Sequence, residues 1–141
     1  MIPGLWAGVL LCIALIATPA PFAVLSPHDA GQVVARIFAN EAYLSLVLAS
    51  ALLLLERWQA QREAQAGLNR PMLLALGTLF CTVAGYFALQ PMLVEARTGG
   101  GRLSFGQLHA VSLALYGLKT LMVLALALRA AQAGRTAPSA L

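Results

Sequence analysis

A chain of 141 residues that is 60% apolar, only 10% charged and has a mean hydropathy of +0.82 is ill suited to water, where about 45–50% apolar and about 25% charged residues are usual. A net charge of +4 and a pI near 9.7 do not point to nucleic acid, because the nine basic residues form no run and are not interleaved with aromatic side chains. All of them except Lys119 lie between or beyond apolar stretches, as loop charges do on a membrane protein.

The first apolar stretch covers about 2–25. It reads as a retained span rather than a signal peptide. No Lys or Arg precedes it, the Thr18-Pro19-Ala20 cleavage candidate is followed by Pro21, and the rest of the chain is equally apolar. Ser26-Pro27-His28-Asp29 then breaks the helix, and Ser26 or Asp29 is suited to cap the next one. Val33, Val34, Ile37 and Phe38 recur at helical spacing among Gln32, Arg36 and Asn40, which predicts a short interfacial helix after the first span.

The second span is expected at about 42–58, with Glu41 and Glu56 at the edges of its apolar run and Tyr43 and Trp58 at the two interfaces. Glu56 to Arg70 is the clearest water-exposed loop. Pro71 suits the first turn of a third span, about 71–94. Gly99-Gly100-Gly101 predicts a turn before the fourth span, about 104–128, and the tail 130–141 is expected to fray. The fold class is therefore all-α, a four-helix transmembrane bundle in a single integral membrane domain spanning 1–141. Arg57, Arg62, Arg70, Arg129 and Arg135 fall on the side of both termini, against Arg36, Arg97 and Arg102 opposite, which predicts both termini in the cytoplasm.

Lys119 is out of place, since a lysine at the centre of a span costs about 2.5–3.5 kcal/mol on insertion scales. It either snorkels toward the interface marked by Arg129 or faces the bundle interior. At 3.6 residues per turn, His109, Ser112, Tyr116, Lys119 and Thr120 share an arc of roughly 100°. Such a polar stripe should face other helices, where the third span offers Thr78, Thr82, Tyr86 and Gln90. The candidate polar intramembrane face is thus His109, Ser112, Tyr116 and Lys119 with Thr82, Tyr86 and Gln90, acting either as interhelical packing or as a polar cavity. His109 could ligate a haem or a metal, and with His28 could bracket a metal, but nothing in the spacing requires it and copper or zinc sites usually need more ligands, so no cofactor is expected. Gly4 and Gly8 form a close-packing GxxxG pattern, and Gly77 and Gly85 share a face of the third span. Cys12 and Cys81, at similar depth, read as small buried apolar side chains.

Leu5-Trp6-Ala7-Gly8, Pro19-x-x-Phe22-x-x-Leu25, Ala30-Gly31 and Ile37-Phe38, followed by Tyr86…Pro91-Met92 and Phe105-x-x-x-His109-x-x-Ser112, resemble bacterial proteins of the domain of unknown function 4149 family, with animal transmembrane protein 205 as a relative. The resemblance implies a four-helix protein of the bacterial inner membrane with no established activity. The chain departs from the family pattern at Tyr116, where Asn is common, and Lys119 has no matching position. No nucleophile–base pair, paired carboxylates or phosphate loop is visible, so an enzyme is not expected. The expected partners are the lipid bilayer and a homo-oligomer or larger membrane complex, with no nucleic acid. The expected function is a non-enzymatic structural or interaction component of the inner membrane. The alternative is a small transport or metal- or ion-handling protein that uses the polar face.

Overall fold

The computed structural model describes residues 1–62, 67–99 and 103–136, the last three as backbone alone. Among them are four helices long and apolar enough to cross a membrane: α1 (Ile2–Val24), α2 (Pro27–Arg62), α3 (Arg70–Arg97) and α4 (Phe105–Thr136). Their outward faces carry Leu15, Ile16, Val47, Leu54, Phe80 and Leu121, each about two-thirds exposed. Apolar patches on this scale belong against hydrocarbon rather than water. The chain is a multi-pass membrane protein.

Local chemistry sets the helix ends. Leu25 turns extended (φ −118°, ψ 162°) and closes α1. Of the two candidate caps it is Ser26 that starts α2. Its Oγ accepts from the Asp29 N–H at 3.2 Å and donates to Asp29 Oδ2 at 2.7 Å, ahead of a proline at the first helical position. Asn69 caps α3 through the Met72 N–H at 2.9 Å. Ser104 and Gln107 form a reciprocal box at the start of α4, with the Gln107 N–H on Ser104 Oγ at 3.3 Å and the Ser104 N–H on Gln107 Oε1 at 3.0 Å. Gly99, at φ +81°, supplies the left-handed residue that ends α3. Gly100 and Gly101 lie outside the described residues, as do residues 63–66 of the expected loop.

Two helices extend further than the hydropathy suggests. Residues 30–39, expected as a separate interfacial helix, are the first turns of α2, which runs on for 36 residues without a break at Asn40–Glu41. No glycine or proline after Gly31 interrupts it. The fourth helix continues past Leu128 to Thr136, through a stretch rich in alanine; residues 137–141 lie outside the described residues.

Both α1 and α3 widen partway along. Ile13–Ala17 and Val83–Ala88 are π-helical. In the first, the Thr18 N–H reaches back five residues to the Ile13 carbonyl at 2.9 Å, and Thr18 Oγ1 donates to the same oxygen at 2.7 Å. Each wide segment is followed by prolines, Pro19 and Pro21 or Pro91. Proline lacks the N–H that a regular helix needs there, and its ring crowds the preceding turn.

Consecutive helices pack side by side and α4 closes against α1, so α1 faces α3, and α2 faces α4, across the diagonals. The half of the bundle holding both described termini is tight. Trp6, Leu10, Ala49, Leu52, Val123 and Leu126 form its core. Gly77 sits so close to α4 that a Cβ there would lie 2.6 Å from Met122 Sδ. Gly4 and Gly8, expected to pack closely, meet no other atom within 4 Å of a built Cβ; they face away from the bundle. Cys12 is likewise exposed, on the helix diagonal to buried Cys81.

The other half is splayed. No Cα of Ile13–Ala17 or Pro19–Val24 lies within 8 Å of α4, and none of Leu89–Arg97 lies within 8 Å of α2. There the molecule is two hairpins, α1–α2 and α3–α4, standing apart.

Candidate functional site

Between the splayed hairpins lies a cavity of about 690 Å³, lined by all four helices. The seven residues of the predicted polar face, His109, Ser112, Tyr116, Lys119, Thr82, Tyr86 and Gln90, all line it. Of the 100° arc of α4 only Thr120 does not line the cavity.

The floor holds a charge pair that the sequence does not reveal. Lys119 is buried and does not snorkel. Its Nζ donates to both oxygens of Glu41, each at 2.8 Å, with both side chains at most 4% exposed. The sequence reading leaves Glu41 at the edge of the second span. It lies instead well inside α2, fourteen residues beyond Pro27, because the helix starts earlier than its apolar run. A network holds the carboxylate in place. Ser45, one turn on and fully buried, donates its hydroxyl to Glu41 Oε1, and the indole N–H of Trp6 donates to Ser45 Oγ at 3.1 Å. The Lys119 ammonium also sits over the Tyr116 ring, 4.8 Å from its centroid. Tyr116 in turn donates its hydroxyl to the Leu10 carbonyl of α1 at 2.9 Å and meets Phe38 of α2 edge-on at 5.3 Å.

Glu41–Lys119 and Phe38–Tyr116 cross the α2–α4 diagonal, whose backbones come no closer than 8 Å between Cα atoms. Side chains alone bridge the centre of the bundle at the depth where it begins to part. The threonines play a smaller part than expected. Thr78, Thr82 and Thr120 turn their hydroxyls onto carbonyls of their own helices, at Ala75, Thr78 and Tyr116.

At the mouth, His109 stacks on Phe105 with centroids 5.7 Å apart, and the Arg97 guanidinium lies 5.0 Å over the same ring. Arg97 also reaches across to α2, where the missing side chain of Gly31 leaves room for it; a Cβ there would lie 3.9 Å from both terminal nitrogens. His28 is hydrogen-bonded to Gln32 at 2.8 Å. Tyr43 closes the α2–α3 seam against Tyr86 and Phe87 at centroid distances of 6.3 and 5.9 Å. Among the described residues no three His, Cys, Asp or Glu side chains gather as a metal-binding set.

A family model matches residues 1–102, described as Domain of unknown function (DUF4149), and so takes in α1, α2 and α3. The chain belongs to the DUF4149 family. The DUF4149 match contains Glu41, Ser45 and Trp6, whereas Lys119 and the rest of α4 lie beyond its last matched residue. No curated protein and no solved structure matches the chain.

Proposed function

We propose that this DUF4149 protein is a non-enzymatic binding or transport protein of the bacterial inner membrane, whose cavity accepts a small molecule or ion above the Glu41–Lys119 pair. One observation carries the reading: a buried ion pair forms the floor of a cavity of about 690 Å³. A buried pair is a poor source of stability, since well-packed apolar residues serve as well or better, and ionisable residues inside a membrane by default mark binding or conduction paths. The cavity volume falls within the range of about 300–1,000 Å³ usual for ligand sites, which likewise pair apolar walls with a few convergent polar groups. The pair presents one positive and one negative group at a single depth, so a charged ligand or a proton can replace either partner. With both termini in the cytoplasm, as the distribution of arginines favours, the cavity opens toward the opposite face of the membrane.

Ser112→Trp would fill the cavity from α4 and tests the reading. In a thermal-shift screen of water-soluble compounds and single-chain lipids on detergent-extracted protein, binders should stabilise the native protein and leave the variant unmoved. A ligand at a hundred times its Kd stabilises by about 2.7 kcal/mol. Compounds that shift both proteins equally, or none that shifts either, would remove the reading.

The open space at Gly4 and Gly8 favours a second reading, self-association through that outward face. Crosslinking in native membranes that is lost in Gly4→Leu/Gly8→Leu would support it, and a monomer in native membranes would exclude it.

A further inference from the structure

The cavity has charge at its mouth and an opening along its side, and together these narrow its ligand. Among the lining residues Glu41 alone carries a carboxylate, and Lys119 already answers it. Near the entrance stand Arg97, His28 and His109. Among the described residues Arg97 has no carboxylate within ion-pair distance; its guanidinium rests on the Phe105 ring. A guanidinium is always charged and presents a planar fork of donors suited to carboxylate or phosphate. The mouth is therefore built to receive an anion.

The walls are apolar, with Phe22, Val34, Phe38, Leu93 and Leu113 among them, and they are not closed all round. The α2–α3 seam is bridged by Tyr43 against Tyr86 and Phe87. Between α1 and α4 the last bridge is the Tyr116–Leu10 hydrogen bond, before the wide turn of α1. Past the wide turn at Ile13–Ala17, no Cα of the helical segments of α1 comes within 8 Å of α4. Ala14 and Phe22 on one side and Leu113 on the other line the cavity there, and all three are exposed. This is a lateral slot at membrane depth, continuous with a cationic mouth.

We infer that the ligand is an anionic single-chain lipid drawn sideways from the bilayer, its head group held by Arg97, His28 and His109 and its acyl chain lying in the α1–α4 slot. The inference rests on the cavity being a binding site and adds the ligand's chemical class and its route of entry. A chain lying in the slot keeps its methylene groups against apolar side chains and lipid, while its head group exchanges water for charge-assisted hydrogen bonds.

The test uses the whole protein in phosphatidylcholine nanodiscs and a palmitate probe bearing a mid-chain diazirine. Adducts should map to the Ala14–Phe22 segment and to Leu113. Unlabelled palmitate should compete at least tenfold better than neutral monopalmitoylglycerol. Arg97→Gln should abolish that preference, and Ala14→Trp, which blocks the slot, should lower adduct yield severalfold. Unsaturable adducts on outer residues such as Val47 and Leu121, equal competition by the neutral lipid, or an unchanged preference in Arg97→Gln would each overturn the inference. If the probe fails while water-soluble compounds still stabilise the protein in a Ser112→Trp-sensitive way, the lipid assignment falls and the cavity reading stands; if both signals are missing, both fall.

Discussion

Glu41 is worth most when its partner is present. With Lys119 removed, the carboxylate stays buried with Ser45 as its remaining donor, and breaking such a pair costs about 3–5 kcal/mol. Lys119→Met and Glu41→Gln should each destabilise by that order, measured by reversible unfolding in mixed detergent–SDS micelles. The double variant should recover most of the loss, since two neutral side chains leave no uncompensated charge. A double variant as unstable as the sum of the singles would mean that the two residues act independently. The lysine itself was legible, because a single cation inside an apolar stretch contradicts its surroundings. Its partner was not. Hydropathy places Glu41 at a span edge because a charge ends an apolar run, and nothing in one sequence links positions 78 residues apart. Ser45 and Trp6 were hidden for the same reason, as both are ordinary residues for a span until the carboxylate beside them is located.

At the scale of elements, packing density differs along each helix. Gly77 lies in the tight half, and Gly85, nearer the cavity, would meet Leu115 at an ordinary 3.6 Å. Gly77→Val should therefore push aside the flexible thioether end of Met122 at a cost of about 1 kcal/mol, the low end of overpacking, read in the same unfolding assay. Met122→Ala should restore part of it by vacating the space the new side chain needs, whereas Gly85→Ala should change little. The number and order of helices could be read from apolar run length, and their starts from Ser26, Asn69–Pro71 and Ser104. The wide turns could not. Prolines announce a disturbance in α1 and α3, but whether a helix kinks, ends or expands depends on neighbours that a single chain does not declare. The same ignorance of neighbours leaves a GxxxG pattern open between an internal and an outward contact, and Gly4 and Gly8 face outward.

For the whole molecule, the polar stripe on α4 pointed to a shared interior but could not decide between packing and emptiness, which depends on how far the hairpins separate. The asymmetry has a measurable sign. In a background lacking Cys12 and Cys81, Ser112→Cys and Gln90→Cys, both in the cavity wall, should react with a small membrane-impermeant thiol reagent added from one side of intact vesicles. Ala49→Cys, buried in the tight half, should not react from either side. Labelling of all three, or of none, would mean that the two halves do not differ as described.

The diagonal ion pair also carries a consequence for biogenesis. Glu41 leaves the ribosome 78 residues ahead of Lys119, a delay of roughly 4–16 s at synthesis rates of about 5–20 residues per second. Throughout that interval the nascent first hairpin holds an acidic side chain that nothing in its own sequence neutralises at that depth. A chain cut short before the last helix should keep that blemish permanently, giving membrane quality-control proteases a chemical flag by which to tell unfinished copies from finished ones.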